Sequence, residues 1–446
     1  MRMSAKKVVS IALVSMLLWN VTGCKSRPGG GDEAGKGSKE KQAKEFSPKY
    51  ASDTEYKLSV TGSYSNFESL ESEFERFYEY YPNVSLNYVY LDDYNNTIAS
   101  ALTSDEAPDI YVTASWMLDD EKMAPVLDSA EILSDPSLNI DLDCIRQGAR
   151  WTLENGDVIM IPIFTRSYGM LVNMDIFEKN NLEVPDTYSE LVETCDKLIA
   201  AGYDVPIMGD NGTTVAGIYY AFAFPLFCNN VIGNPEAVAA LNNMDSSAGE
   251  YMRPALDKIG SFVDKGYLNP KLCSDEIEND YDAVIMRFFE GDVPMMLGSG
   301  DMVSGTQKRE SKSEAFIANP FKYKFYVVPS GDEGGYFLDS VNLFFSVNKN
   351  SPNLDMTNEF IRFLMREKEL GNMAAIKRLI TPTNDFSLDE VYASFENFPK
   401  ERYFSFQETG LSDAVTKEFR AAAYKVANGE MTVDEAVSAY GSLWDN

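Results

Sequence analysis

The sequence predicts an α/β protein of two domains. Two observations carry this. Strand and helix patterns alternate from Tyr56 to Thr113, and about 400 of the 446 residues lie beyond a polar N-terminal tract, more than one ordinary core accommodates.

The N-terminus comes first. Arg2, Lys6 and Lys7 precede an apolar run from Val8 to Trp19. The run is shorter than the roughly 20 residues that span a bilayer, so residues 1–23 read as an export signal. Val21-Thr22-Gly23-Cys24 resembles a bacterial lipobox, which implies cleavage before Cys24 and diacylation of that Cys. Two acyl chains give stable anchoring. Residues 24–53 then read as the lipidated cysteine and a flexible tether: Lys25 to Tyr50 is rich in Gly and charge and offers Ala as its one aliphatic type. The expected location is the extracellular face of the cell membrane.

In the body, "YKLSVTGS" at 56–63 predicts a strand and "SNFESLESEFERFYEYYP" a helix. Phe67, Leu70, Phe74, Phe77, Tyr78 and Tyr81 recur at helical spacing, Ser65 and Glu68 have capping-box spacing, and Pro82 ends the helix. "NVSLNYVY" alternates as a half-buried strand. A short helix over 93–103 and a strand ending near Thr113 complete a βαβαβ unit around a parallel sheet. Strands are predicted on either side of Pro162, then a turn at Asn173 and a capped helix from about Asp186. "FFEGDVPMMLGSGDMV" predicts a buried strand and a loop. Two strands and a long helix fill 324–370, and Gly429 breaks a helical tail whose last piece Thr432 caps.

Charge and composition exclude several functions. A formal charge of −30, from 69 acids against 39 Lys and Arg, excludes a nucleic-acid footprint. It would also repel anionic lipid, leaving the acyl chains as the membrane link. The absence of histidine removes Ser-His-Asp and Cys-His catalysis and His-ligated metals. Cys144, Cys195, Cys228 and Cys273 lack metal or redox spacing, and Cys195 falls on an apolar helix face. No phosphate-cradling GxxxxGK[ST] occurs.

Five segments in order, "APDI", "NGDVIMIPIFTRSYGMLVNMDIFEKNNLEVPDTYSEL", "FFEGDVPMMLGSGDM", "FSVNKNSPNLDMTNEFIRFL" and "ANGEMTVDEAV", resemble the extracellular solute-binding proteins of ABC importers, in the maltose-binding-protein family. The resemblance implies a two-lobed periplasmic-binding-protein-like fold, its lobes linked by hinge crossings with a ligand cleft between. Crossings are expected near 114–116 and 340–342. That gives an N-lobe of 54–114 plus 342–378 and a C-lobe of 115–341 plus 379–446. It further implies a monomeric, non-enzymatic receptor with no cofactor and no catalytic or metal residue. Its partners would be a saccharide and the transmembrane subunits of an ABC permease.

Sugar sites combine flat aromatic faces with fixed polar groups, and α/β sheets bind ligand at strand carboxyl ends. Tyr64 follows the first strand, beside Ser65 and Asn66 in capping positions. Thr113 and Trp116 follow the third strand, Trp116 either stacking on ligand or packing the hinge. The resemblance places Arg166 at a cleft position, with Tyr168 beside it as a second contact. Of Tyr219 and Tyr220, one is expected to face the cleft and one the core. Asp301 stands where many relatives carry a stacking Trp. It is expected to accept two hydroxyls or pair with Arg166, which suits a small or acidic sugar. Asp339, at the second crossing, is a further candidate. Three alternatives stay open: a glycosidase, although no carboxylate pair stands out; a receptor for ferric ion, using Tyr219-Tyr220, or for peptide or polyamine; and a sugar-sensing lipoprotein.

Overall fold

The computed structural model describes residues 45–64, 67–118, 120–209, 217–271, 281–384, 390–395, 398–399 and 402–444. The export signal, Cys24, Ser65, Asn66 and Cys273 lie outside the described residues, as does the side chain of Asp301.

Alternating apolar residues build β1 (Tyr56–Gly62) and β2 (Val84–Tyr90), and a run buried at every position builds β3 (Ile110–Thr113), with β1 parallel to both others. Between them lie α1 (Glu68–Tyr78) and α2 (Tyr94–Leu102), and α1 buries Leu70, Phe74 and Phe77. Two long strands follow, β4 (Ile161–Asn173) and, far along the chain, β8 (Phe337–Val347). They pair antiparallel from Ile161↔Phe345 to Ser167↔Asp339. With β5 (Ile207–Met208), β6 (Met295–Ser299), β7 (Tyr323–Tyr326) and β9 (Tyr403–Phe404) the order is β2-β1-β3-β8-β4-β6-β5, β7 joining β4 and β9 joining β8. The sheet is therefore mixed beyond its first three strands.

The strands expected on either side of Pro162 are one strand. Register shifts on both sides of Phe164 absorb the residue that cannot donate a hydrogen bond. Asn173 does turn the chain: its side chain accepts from the Ile176 amide, 3.2 Å. The loop expected after β6 is a short helix, Gly300–Ser304. The long helix expected after β8 is two, Leu354–Leu364 and Glu367–Lys377, because Arg366 is extended. Capping boxes at Thr187/Glu190 and Thr432/Glu435 start Tyr188–Ala200 and Val433–Ser438, and Gly429, at φ +71°, ends Asp413–Ala427.

Buried side chains separate into two lobes. The first core holds β1–β3, the two helices after β8, and also Met117, Val126, Leu133, Ile145 and Ile159 to Phe164. Residues 117–164 thus pack with the first lobe, whereas the expected first crossing at 114–116 assigned them to the second. Cores around Tyr168–Tyr440 and around Leu171–Phe395 make the second lobe. The chain passes between lobes within β4, within β8, and at Leu379–Ile380.

The tether boundary also moves. Phe46 is 6% exposed, its ring 5.2 Å from Phe363 and 5.0 Å from Tyr80, so the packed body begins by Glu45 and not at Thr54. Cys144, Cys195 and Cys228 are buried free thiols, and burial pushes the Cys144 thiol up to about 12. Among the described residues no helix is long and apolar enough to cross a membrane.

Candidate functional site

Three crossings meet at Arg146. It follows the turn Leu142–Cys144, and its amide donates to the Pro382 carbonyl, 2.9 Å. Its guanidinium donates to Thr165 Oγ1 in β4 (3.3 Å), to the Thr383 carbonyl in the third crossing (3.1 Å) and to Asp339 in β8. Beside this knot a cleft of about 660 Å³ opens between the lobes. Asp143, Gln147, Arg150 and Thr152 line it from the first lobe, Gln407 and Glu408 from the second, and Asn384 from the third crossing. A recess of about 50 Å³ shares Gln407 and presents Trp151, Phe344 and Phe406 with Ser115 and Ser340.

The walls are locally fixed. Asn384 donates its side-chain amide to the Asp143 carbonyl, 2.8 Å. Arg150 pairs with Asp143 at 3.3 Å and donates to the Leu142 carbonyl. On the facing wall, Glu408 accepts from the amide (2.9 Å) and hydroxyl (3.3 Å) of Ser405, and Asn242 holds the Gly410 carbonyl at 2.8 Å. Gly410 leaves this turn at φ +69°, a conformation that suits glycine.

The sequence-predicted residues divide. Phe406 sits 5.8 Å from Tyr220, which stacks on Tyr168 at 4.8 Å, so these two aromatics back the recess. Arg166 lies across the ladder from Ser340, which places both side chains on one face. Trp116 is 46% exposed, one residue from Ser115. Other residues fall elsewhere. Thr113 is fully buried and its hydroxyl pairs with Ser346 at 2.9 Å, a bond within the sheet. Tyr219 is core: its hydroxyl donates to the Thr416 carbonyl, 3.0 Å, and burial pushes its pKa well up. Tyr64 stacks on Phe67 at 5.1 Å and Asp339 serves the hinge. Arg146, Arg150, Trp151, Asn384 and Phe406–Glu408 were not foreseen. An Arg-Trp pair just ahead of the Asn155-Gly156-Asp157 turn was the one available signal.

Two lobes on a shared sheet, three crossings and a polar cleft beside them define a two-lobed binding protein. The chain belongs to the bacterial extracellular solute-binding proteins, whose family model matches residues 61–369. Solved structures agree in fold. Apo RafE from Streptococcus pneumoniae is 16% identical with a TM-score of 0.66, covering 90% of this chain and 100% of its own. A family 1 protein from Bifidobacterium longum subsp. infantis is 17% identical (TM-score 0.65, 88% and 99%). The GacH receptor of Streptomyces glaucescens, solved unliganded and with acarbose, is 16% identical (TM-score 0.61, 88% and 100%). A search of curated proteins finds no significant match.

Proposed function

We propose that the protein is a lipid-anchored receptor that captures a carbohydrate outside the cell and delivers it to the transmembrane subunits of an ABC importer. The observation that carries this is the lining of the cleft. Amide, hydroxyl and charged side chains of the kinds that can bond sugar hydroxyls adjoin a recess where the partly exposed rings of Trp151 and Phe406 suit C–H faces. Among proteins of like fold, RafE has been solved with raffinose and a Bacillus licheniformis sugar transporter with stachyose. The ferric-ion alternative loses ground, since Tyr219 is buried with its hydroxyl committed to Thr416.

Support for anchoring comes from the apolar run and the Val21–Cys24 quartet. The test of capture is the melting temperature of the chain from Lys25 onward against a panel of oligosaccharides. A ligand at about 100 times its Kd adds roughly 2.7 kcal/mol, a readily visible rise. No rise with any saccharide would redirect the search to peptides and polyamines. For anchoring, membrane-extracted protein should begin at a diacylated Cys24, and Cys24→Ala should release it to the medium.

A further inference from the structure

Asp143, Glu408 and Arg150 are the charged residues lining the larger cleft. Arg150 is already engaged with Asp143 and the Leu142 carbonyl. Glu408 differs: it is exposed, Ser405 holds its Oε2, and among the described residues no cation pairs with it. It abuts Gly148 of the first lobe, which lines the adjoining recess and where a β-carbon would collide with Oε2. The missing side chain lets a second-lobe carboxylate rest directly on first-lobe backbone, between the two walls that would close on a ligand.

We propose that Glu408 sets the charge class of the ligand: its carboxylate accepts hydroxyl hydrogen bonds from a neutral saccharide and repels one that carries a carboxylate. This rests on the carbohydrate reading and narrows it. Arg166 suggested an acidic sugar, but the cation lining the cleft, Arg150, already pairs with Asp143, which leaves Glu408 as the second carboxylate against a single cation. Once the lobes close over a ligand and exclude water, a second anion placed there meets like charge at short range, with less screening than in the open cleft.

The test compares each neutral saccharide that raises the melting temperature with its own C6-oxidised uronate, by calorimetric Kd. Wild type should prefer the neutral form by about tenfold or more. Glu408→Gln, equal in shape and uncharged, should shrink the preference to about threefold or less, while Glu408→Asp keeps it above that. The unliganded melting temperatures show that each variant is folded. An unchanged preference in Glu408→Gln, or a wild type that favours the uronate, overturns the assignment while leaving carbohydrate capture intact. Binding of no saccharide at all overturns capture and the charge assignment together.

Discussion

Arg146 and Asp339 form an ion pair at the point where the three crossings converge, and neither side chain is exposed beyond 13%. The same guanidinium reaches Thr165 and the carbonyls of Thr381 and Thr383. One residue of the first lobe thus ties together β4, β8 and the third crossing. Burial raises the pKa of the Asp339 carboxyl, while Arg146, Thr165 and Ser167 pull the other way.

Removing Arg146 strands that carboxyl without its cation. Arg146→Met should cost roughly 3–5 kcal/mol in urea unfolding at neutral pH. Adding Asp339→Asn should recover a large part, since the buried charge is then gone too. A loss under about 1 kcal/mol would mark the pair as no stronger than a surface bridge.

Glu73 makes stability pH-dependent. It lies fully buried on α1, with neither oxygen hydrogen-bonded and Arg76 Nη1 3.6 Å away. Burial pushes its carboxyl up to about 7, Arg76 and Lys368 opposing and Glu369 assisting. A raised carboxyl favours the protonated fold, so its contribution is full below the unfolded value and fades as pH rises through about 7. Wild type should therefore lose on the order of 2–3 kcal/mol of unfolding free energy from this group between pH 4.5 and 8. Glu73→Gln should flatten that slope and be the more stable form at pH 8. Equal slopes in the two proteins would refute the assignment.

Legibility followed periodicity. The first βαβαβ unit could be read because Leu70, Phe74 and Phe77 repeat on one buried face, and the Thr187 and Thr432 caps because Thr-x-x-Glu spacing is local. Between β3 and β4 the chain makes short turns, including Ser115–Leu118, Pro136–Leu138, Leu142–Cys144 and Gln147–Ala149. Without a period, nothing there signals which lobe it joins or that Arg146 ties the hinge, and the Arg150-Trp151 pair is the one local cue to the cleft lining. Tyr219 and Tyr220 are chemically alike, and a π-helical turn over Tyr219–Ala223 decides which of them is core. Thr113 follows the strand-end rule, yet a neighbouring strand covers it.

Phe46 was unreadable for another reason: a lone aromatic in a charge-rich tract has no pattern. Its ring packs on Phe363 and Tyr80 under the Arg362 guanidinium, 4.4 Å from the ring centre, and Arg362 also holds the Ser47 carbonyl at 2.7 Å. Phe46→Ala should cost about 3 kcal/mol or more. A chain starting at Thr54 should melt below one starting at Lys25 by at least as much as Phe46→Ala does. Equal melting temperatures for the two chains would return residues 45–53 to the tether.

The recess makes the sharpest separation of binding from stability. Trp151 and Phe406 line it, whereas Tyr219, two rings back, contacts Tyr220 at 4.8 Å and bonds Thr416. If a sugar ring stacks there, Trp151→Ala should weaken the best saccharide of the panel about tenfold or more, since an aromatic face is lost with its buried area. Tyr219→Phe should leave affinity within about twofold but cost roughly 1 kcal/mol of stability through the abandoned Thr416 carbonyl. Calorimetric Kd and urea unfolding read the two quantities independently. Unchanged affinity in Trp151→Ala would place the ligand wholly in the larger polar cleft, held through hydrogen bonds and without an aromatic platform.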